Sequence, residues 1–195
     1  MSSPLRAAQT KARRTLVLIV GVFALPLVLA WAFTLGPLDW RPAKTVNYGV
    51  LLKPALDLKS YAVMDGTGAV LSAGSVAGDW FLVVLHSAAC TEPCQHWLQI
   101  AERIQIAVGR DMPRVTIALL GPDGDAPAHP GRSWLLPADG RLVEALRRAT
   151  GQPRLDTVLL IVDHLGYVVL TYPPAEDGPG ALKDLKRLLR ATARP

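Results

Sequence analysis

Apolar and polar positions divide the chain into four consecutive segments. A charge-free, mostly apolar run extends from Thr15 to Leu38, and a helix needs only about 20 such residues to cross a bilayer core. Residues 39–58 are interrupted by prolines and predict a linker. In residues 59–195, short apolar runs alternate with segments of helical spacing. The pattern therefore predicts a tail at 1–14, a transmembrane anchor at 15–38, a linker and one folded domain.

Six apolar runs in the folded part predict strands. The first two flank the turn sequence Asp65-Gly-Thr-Gly68 and predict a hairpin, and the last two flank a turn at 163–166. The run 80–85 is unbroken, as in a strand that is buried on both faces, and 115–120 predicts a second buried strand. The runs are 61–64, 69–71, 80–85, 115–120, 157–162 and 167–172.

Three segments predict helices. Apolar residues recur at helical spacing after the third strand, and shorter amphipathic segments cover 139–150 and 180–193. Residues 123–137 are rich in proline and glycine and predict a loop. The resulting order, β-β-β-α-β-α-β-β-α, predicts an α/β fold with a mixed sheet flanked by helices. The apolar positions of the first helix are Cys94, Trp97, Leu98, Ala101, Ile104 and Val108.

The positive charge of the chain is concentrated at its beginning. Of the formal net charge of +5, the first fourteen residues supply +4, which leaves +1 for the rest. Basic residues beside a membrane span stay in the cytoplasm, so the tail predicts a cytoplasmic N-terminus and a domain on the far side. The charge therefore indicates topology and does not predict a nucleic-acid partner. Two alternatives to an uncleaved anchor stay open, which are a leader cleaved after Ala30-Trp-Ala32 and a mitochondrial presequence.

The only two cysteines lie in the sequence Cys90-Thr-Glu-Pro-Cys94. They follow a predicted buried strand and precede a predicted helix, which places both thiols at a helix amino terminus. There the helix dipole favours the thiolate, the form that exchanges disulfides and binds soft metals. With this pair at its first strand-to-helix turn, the predicted sheet has the thioredoxin arrangement.

Three roles for the cysteine pair are open from these residues. In a thiol-disulfide oxidoreductase, Cys90 would be the nucleophile and Cys94 the resolving cysteine. In a metal site, two thiolates would hold Cu(I), with His86 as the candidate third ligand. In a non-catalytic scaffold, the pair would form a permanent structural disulfide. A structural zinc site would need about four ligands, so zinc is not predicted.

The other histidines and the rest of the sequence indicate no second functional site. His96 is expected on the solvated side of the first helix of the domain, His129 in the proline-rich loop and His164 in the turn between the last two strands. No glycine-rich phosphate loop, Ser-His-Asp pattern or pair of carboxylates at helical spacing stands out. The sequence therefore predicts no enzyme class other than thiol exchange.

Five segments of the chain carry a resemblance to a known family. They are Asn47-Tyr-Gly-Val-Leu-Leu52, Trp80-Phe-Leu-Val83, Cys90-Thr-Glu-Pro-Cys94, Val162-Asp-His-Leu-Gly166 and Lys183-Asp-Leu-Lys-Arg-Leu-Leu189. Together with the anchor, the Cys-x-x-x-Cys spacing and the order of elements, these segments resemble the Sco family of cytochrome oxidase assembly proteins, in particular a small Sco-like group found in proteobacteria. The resemblance covers about residues 48–189.

The resemblance implies a thioredoxin-like domain in the periplasm, held by one helix in the bacterial inner membrane. It also implies Cu(I) as a candidate cofactor and cytochrome c oxidase subunits or assembly factors as partners. Copper-carrying Sco proteins add a distal histidine to their two thiolates, and Leu155 stands at the corresponding position here. This departure favours thiol redox or an accessory role over stable copper carriage.

Overall fold

The structure, a computed structural model, describes residues 4–34, 46–122, 131–174 and 178–192. The chain divides into two compact units, Met1–Val46 and Asn47–Pro195. The first unit contains the helix α1, Pro4–Thr34, with Pro26 inside it. Within α1, Arg13–Phe33 is long and apolar enough to cross a membrane, and its large apolar side chains are exposed. The helix begins earlier than the predicted anchor and takes in most of the predicted tail, while 35–38 lie outside the described residues.

The second unit contains seven strands and four helices within the described residues. Short 3₁₀ turns at Leu58–Tyr61 and Gly109–Arg114 lie between some of them. The strands are β1 Val50–Asp57, β2 Met64–Asp65, β3 Trp80–His86, β4 Val115–Gly121, β5 Arg132–Leu135, β6 Thr157–Val162 and β7 Tyr167–Tyr172. The helices are α2 Ala73–Val76, α3 Glu92–Ala107, α4 Arg141–Thr150 and α5 Gly178–Ala191.

All seven strands belong to one mixed sheet of order β1-β7-β6-β3-β4-β5-β2. Strand β3 is parallel to β4, and β4 is parallel to β5, while the other pairs are antiparallel. All seven residues of β3 are buried, which agrees with its unbroken apolar sequence and its central place. The predicted α/β fold with a mixed sheet flanked by helices is confirmed.

Helices cover both faces of the sheet because successive side chains of each strand point to opposite sides. On one face, Phe81, Val83 and Leu85 pack in a cluster that includes Leu142 and Leu146 of α4. On the other face, the alternate residues of β3 pack against α3 and α5. The six apolar positions predicted for α3 are all buried. The cysteine pair therefore lies on the α3 side of the sheet.

The structure corrects two sequence-based expectations. Residues 50–57, predicted as the end of the linker, form β1 and pair with β7, so the sheet begins earlier than expected. The predicted loop 123–137 includes β5, while its residues 123–130 lie outside the described part. The predicted hairpin is present but short: it has the bridge between Met64 and Val70 and hydrogen bonds of 2.8 Å from the Asp65 amide to the Ala69 carbonyl and from the Leu71 amide to the Val63 carbonyl, and β2 also pairs with β5.

Candidate redox site

The connection between β3 and α3 positions the cysteines. Strand β3 ends at His86, and the Ser87 amide donates a hydrogen bond of 2.9 Å to the carbonyl of Asp156. Cys90 follows in this loop, directly before Thr91, the N-cap of α3. Because the helix starts at Glu92, Cys94 lies in its first turn. One cysteine therefore precedes the helix and the other is inside it.

Cys90 and Cys94 form a disulfide with a Cα–Cα distance of 5.2 Å. The two sulfurs differ in their access to solvent, because Cys94 is 0% exposed while Cys90 is only partly buried. Cys94 packs in the same cluster as Val84 and Trp97, on the α3 side of the sheet. An attacking thiolate can therefore approach Cys90 more readily than Cys94.

The amino end of α3 provides a favourable electrostatic environment for a released thiolate. The unpaired amides of a first helical turn carry partial positive charge, which favours an anion placed there. The amides of Cys94 and Gln95 both donate to the Thr91 carbonyl at 3.0 Å, which fixes this turn. Glu92 is the only acidic residue in the turn and its side chain is exposed. A thiolate at Cys90 or Cys94 would thus be formed next to a helix end.

His86 lies at the end of β3 and is 4% exposed. Its Nδ1 is 2.5 Å from the carbonyl of Ala88, and since a carbonyl only accepts, Nδ1 donates this bond. Its Nε2 is buried and has no hydrogen-bond partner within the described residues. The ring fills the space above Gly121, where an added Cβ would lie 2.0 Å from Nε2. Sequence analysis selected His86 but missed Gly121, although a glycine that ends a buried strand is a signal for close packing.

The structure does not assemble a three-ligand metal centre from the predicted residues. No group of three or more histidine, cysteine or acidic side chains is arranged to hold a metal ion in the part of the chain that is described. Alternation along β3 places His86 on the face that Cys94 also occupies, but His86 is not joined to the cysteines in such a group. The prediction of His86 as third ligand therefore stays untested.

The other histidines lie where the sequence placed them, as far as they are described. His96 is exposed on α3, and His164 lies in the turn between β6 and β7. The ring of His164 is 6.1 Å from that of Trp80, at the start of β3 and so at the opposite end of the strand from His86. His129 lies outside the described residues.

Comparison with known proteins gives one family assignment. The family described as the transmembrane-like, thioredoxin-like, C-terminal domain matches residues 80–192, which is more than half of the chain and includes the cysteine pair. The chain belongs to this family. Its membership agrees with the sheet, the cysteine position and the N-terminal apolar helix, which together indicate single-pass membrane anchoring of a thioredoxin-like protein. A search of curated proteins gives no match.

Solved structures share the fold at low sequence identity. Copper-bound yeast Sco1 has a TM-score of 0.50 and 12% identity, over 78% of this chain and 98% of its own. Copper-bound ScoI of Bradyrhizobium japonicum has a TM-score of 0.44 and 17% identity, over 65% of this chain and 96% of its own. The thioredoxin domain of a thiol-disulfide oxidoreductase from Bacteroides vulgatus has a TM-score of 0.46 and 16% identity, over 72% of this chain and 96% of its own. The expected Sco-like thioredoxin fold is therefore confirmed at the level of the fold.

Proposed function

We propose that this protein is a membrane-anchored thiol-disulfide exchange factor that works through Cys90 and Cys94. The observation that supports this function is the unequal burial of the two joined sulfurs at the amino end of α3. A partly exposed first cysteine can attack or be attacked, while a fully buried second cysteine can reach only its neighbour. These are the exposures expected of a nucleophilic thiol and of a resolving thiol, respectively.

The exchange transfers two electrons between the pair and a partner. In the reducing direction, the Cys90 thiolate attacks one sulfur of a partner disulfide, and the other partner sulfur leaves as a thiolate. The Cys94 thiolate then attacks Cys90 Sγ, which closes the Cys90–Cys94 disulfide and releases the second partner thiolate. The partner has gained the two electrons that the pair has lost. A dithiol reductant returns them to the pair by the same steps in reverse.

We further propose that the partner is a copper-site cysteine pair of cytochrome c oxidase or of an assembly factor that carries copper. The sequence resemblance to the Sco family and the fold shared with yeast Sco1 support this assignment. The basic residues before the apolar helix support an orientation with the N-terminus in the cytoplasm. The thioredoxin-like domain would then lie in the periplasm, outside the bacterial inner membrane.

Cu(I) is a candidate cargo of the reduced pair. Two thiolates are soft ligands that suit Cu(I), and the donor set here fits a site with two sulfur ligands. His86 Nε2 would be the nitrogen available for a third bond, because Nδ1 is engaged by the Ala88 carbonyl. We expect the reduced full-length chain to compete for Cu(I) with a chelator of known affinity, and Cys90→Ser to lose this competition. Unchanged competition by Cys90→Ser would exclude the cysteine pair as the copper site.

The alternative is a non-catalytic scaffold in which the disulfide is permanent. The full burial of Cys94 favours this alternative, because a buried disulfide sulfur is protected from reductants. The reduction potential of the pair separates the two functions. A potential below about −300 mV would indicate a structural disulfide, whereas a higher one would indicate exchange.

The decisive experiment compares two single-cysteine variants of the full-length chain in detergent micelles. Cys94→Ser retains the accessible thiol and Cys90→Ser the buried one. With a chromogenic aromatic disulfide as probe, we expect the first variant to react at least about tenfold faster, because the thiolate must be reached by its target. In denaturant the two rates should become similar, which controls for the intrinsic reactivity of each thiol. Equal rates in the folded proteins would contradict the assignment of Cys90 as nucleophile.

A further inference from the structure

Helix α5 presents a row of basic side chains on the side that faces away from the sheet. The inward side of the helix is apolar, and Leu185 and Leu189 are buried in the core cluster. The basic residues stand at the spacing i, i+3, i+4 and i+7, which is one face of a helix. Three of them are exposed and Lys186 is half-buried. The four residues are Lys183, Lys186, Arg187 and Arg190.

The one acidic residue of α5 leaves this row positively charged. Asp184 is 2% exposed, and its carboxylate accepts hydrogen bonds from the Tyr48 and Gly49 amides in addition to its 3.4 Å contact with Arg187. Two acidic residues, 176 and 177, precede the helix in the sequence and lie outside the described residues. At a rise of about 1.5 Å per residue, Arg190 is about 18 Å along the axis from the start of the helix. The charge excess is therefore greatest towards the carboxyl end of α5.

An exposed aromatic side chain adjoins the basic row at its amino end. Tyr48 is 50% exposed, and its ring lies 4.9 Å from the ammonium of Lys183, which also donates a hydrogen bond of 3.3 Å to the Tyr48 hydroxyl. A Cβ added to Gly180 would lie 2.8 Å from the Tyr48 Cβ, so the tyrosine packs directly on the helix. Aromatic and basic side chains together are typical of the interface between a bilayer and water. We call Tyr48 and the four basic residues the α5 surface.

The α5 surface lies where the chain enters the folded domain from the membrane anchor. Residues 35–45 connect the apolar helix α1 to the start of the second unit, two residues before Tyr48. Fully extended, a segment of this length reaches about 40 Å. In a protein that is anchored in the bilayer through α1, contact between this surface and the lipid is therefore intramolecular. The effective concentration is then high, and a weak interaction is enough.

We propose that the α5 surface docks on the anionic lipid head groups of the bilayer in which α1 is anchored. The ammonium and guanidinium groups of the row would bind lipid phosphates, and Tyr48 would lie at the level of the head groups. Each basic residue beside an anionic membrane surface favours the docked state by about fivefold. The row supplies four such residues on a single helix face.

Docking would also determine where the cysteine pair is presented. Strands β3 and β7 run in the same direction, because β6 lies between them and is antiparallel to both. Helices α3 and α5 follow these strands on the same face of the sheet, so both begin at the same edge. Cys90 would therefore be held close to the bilayer. The proposal requires membrane anchoring but not thiol exchange, so the failure of either leaves the other intact.

The test measures the exposure of individual lysines of the unmodified full-length chain in nanodiscs. One set of discs contains phosphatidylglycerol and phosphatidylcholine in equal amounts, and the other contains phosphatidylcholine alone. Acylation by a water-soluble amine reagent is followed by peptide mass spectrometry. We expect Lys183 and Lys186 to react at least about threefold more slowly in the anionic discs, since several basic residues favour docking there. Lys59 should react equally in both, because its neighbour Leu58 packs on the opposite face of the sheet.

A matched pair of charge reversals identifies the surface. Arg190→Glu should restore fast acylation of both lysines in the anionic discs. Arg154→Glu makes the same change at an exposed position beside Leu155, on the opposite face, and should keep the acylation slow. At an ionic strength of about 1 M, where the Debye length is about 3 Å, the difference between the discs should disappear.

The comparison of the two lipids needs no variant, so it is independent of the folding of Arg190→Glu. Equal acylation of Lys183 and Lys186 in both sets of discs would overturn the proposal and exclude the bilayer as the partner of this surface. Slower acylation that extends to Lys59, or that persists in Arg190→Glu or at high ionic strength, would also overturn it.

Discussion

The contact between His86 and Gly121 shows how a single residue shapes the surroundings of the cysteine loop. The imidazole is held from one side by the Ala88 carbonyl and from the other by the close approach of the Gly121 backbone. A side chain at position 121 would therefore have to displace the ring or break its hydrogen bond. Since Ala88 precedes Cys90 by two residues, this displacement would also change the loop that carries the disulfide.

We expect Gly121→Ala to destabilise the protein by about 2 kcal/mol, a typical effect of overpacking a closed site. Denaturant unfolding of the full-length chain in mild detergent measures the change. Gly74→Ala is the matched control, because Gly74 is exposed and an added Cβ there meets only an ordinary contact with Ser72. Adding His86→Ala to Gly121→Ala should recover part of the loss relative to the sum of the single variants, because the clash is gone. Strict additivity would show that the two residues do not interact.

At the scale of residues, the sequence predicted the position of the cysteine pair but not the exposure of each cysteine. The cysteine spacing and the preceding apolar run were enough to place Cys90 and Cys94 at a helix start. Their unequal burial depends on how α3 packs on β3, which no local pattern reveals. That His86 Nε2 has no hydrogen-bond partner among the described residues depends likewise on the position of the Ala88 carbonyl, which engages Nδ1 and is set by the loop conformation.

At the scale of elements, the strands buried on both faces were predictable, but β1 and β5 were not. Strands β3, β4 and β6 come from predominantly apolar runs, and the structure contains all three. Strand β1 contains Lys53 and Pro54 and buries only Leu52, so its sequence is also typical of a linker. Strand β5 has only four residues and is defined by pairing with β4 and β2, which are distant in sequence.

Helix α5 is joined to the start of β1 and to β7 by one buried carboxylate. Asp184 is 2% exposed and accepts hydrogen bonds from the Tyr48 amide at 2.7 Å, the Gly49 amide at 3.1 Å and the Tyr172 hydroxyl at 2.9 Å. Arg187, one turn later, provides the positive charge at 3.4 Å. The same carboxylate thus fixes the beginning of the folded unit, strand β7 and the last helix.

We expect Asp184→Ala to destabilise the fold by about 3 kcal/mol or more, because it leaves several buried donors without an acceptor. Thermal or denaturant unfolding of the full-length chain measures the loss. The control is Asp111→Ala, which removes an exposed carboxylate paired with Arg114 and should change the stability by less than about 1 kcal/mol. Similar effects of the two substitutions would show that the Asp184 network does not support the fold.

At the scale of the whole molecule, the chain combines an exposed apolar helix with a domain that buries its own core. Residues 16–33 of α1 include large apolar side chains such as Phe23 and Leu27, both 73% exposed. An uninterrupted apolar surface of this length is favourable in lipid and unfavourable in water. Four basic residues and no acidic one precede this stretch, whereas only Arg41 and Lys44 follow it closely and Asp39 accompanies them, so the charge bias gives the helix a preferred orientation.

This asymmetry predicts the topology of the full-length protein, which cysteine labelling can test. In a Cys90→Ser/Cys94→Ser background, Ser60→Cys places one exposed thiol in the folded domain, and Ala7→Cys places one before the apolar run. We expect a membrane-impermeant maleimide to label the first variant in intact spheroplasts and the second only after lysis, because the basic tail stays in the cytoplasm. The reverse pattern would contradict the proposed orientation. Loss of the Ala7→Cys label from the mature protein both before and after lysis would indicate a cleaved leader, since a cut after Ala32 removes that residue together with the apolar helix.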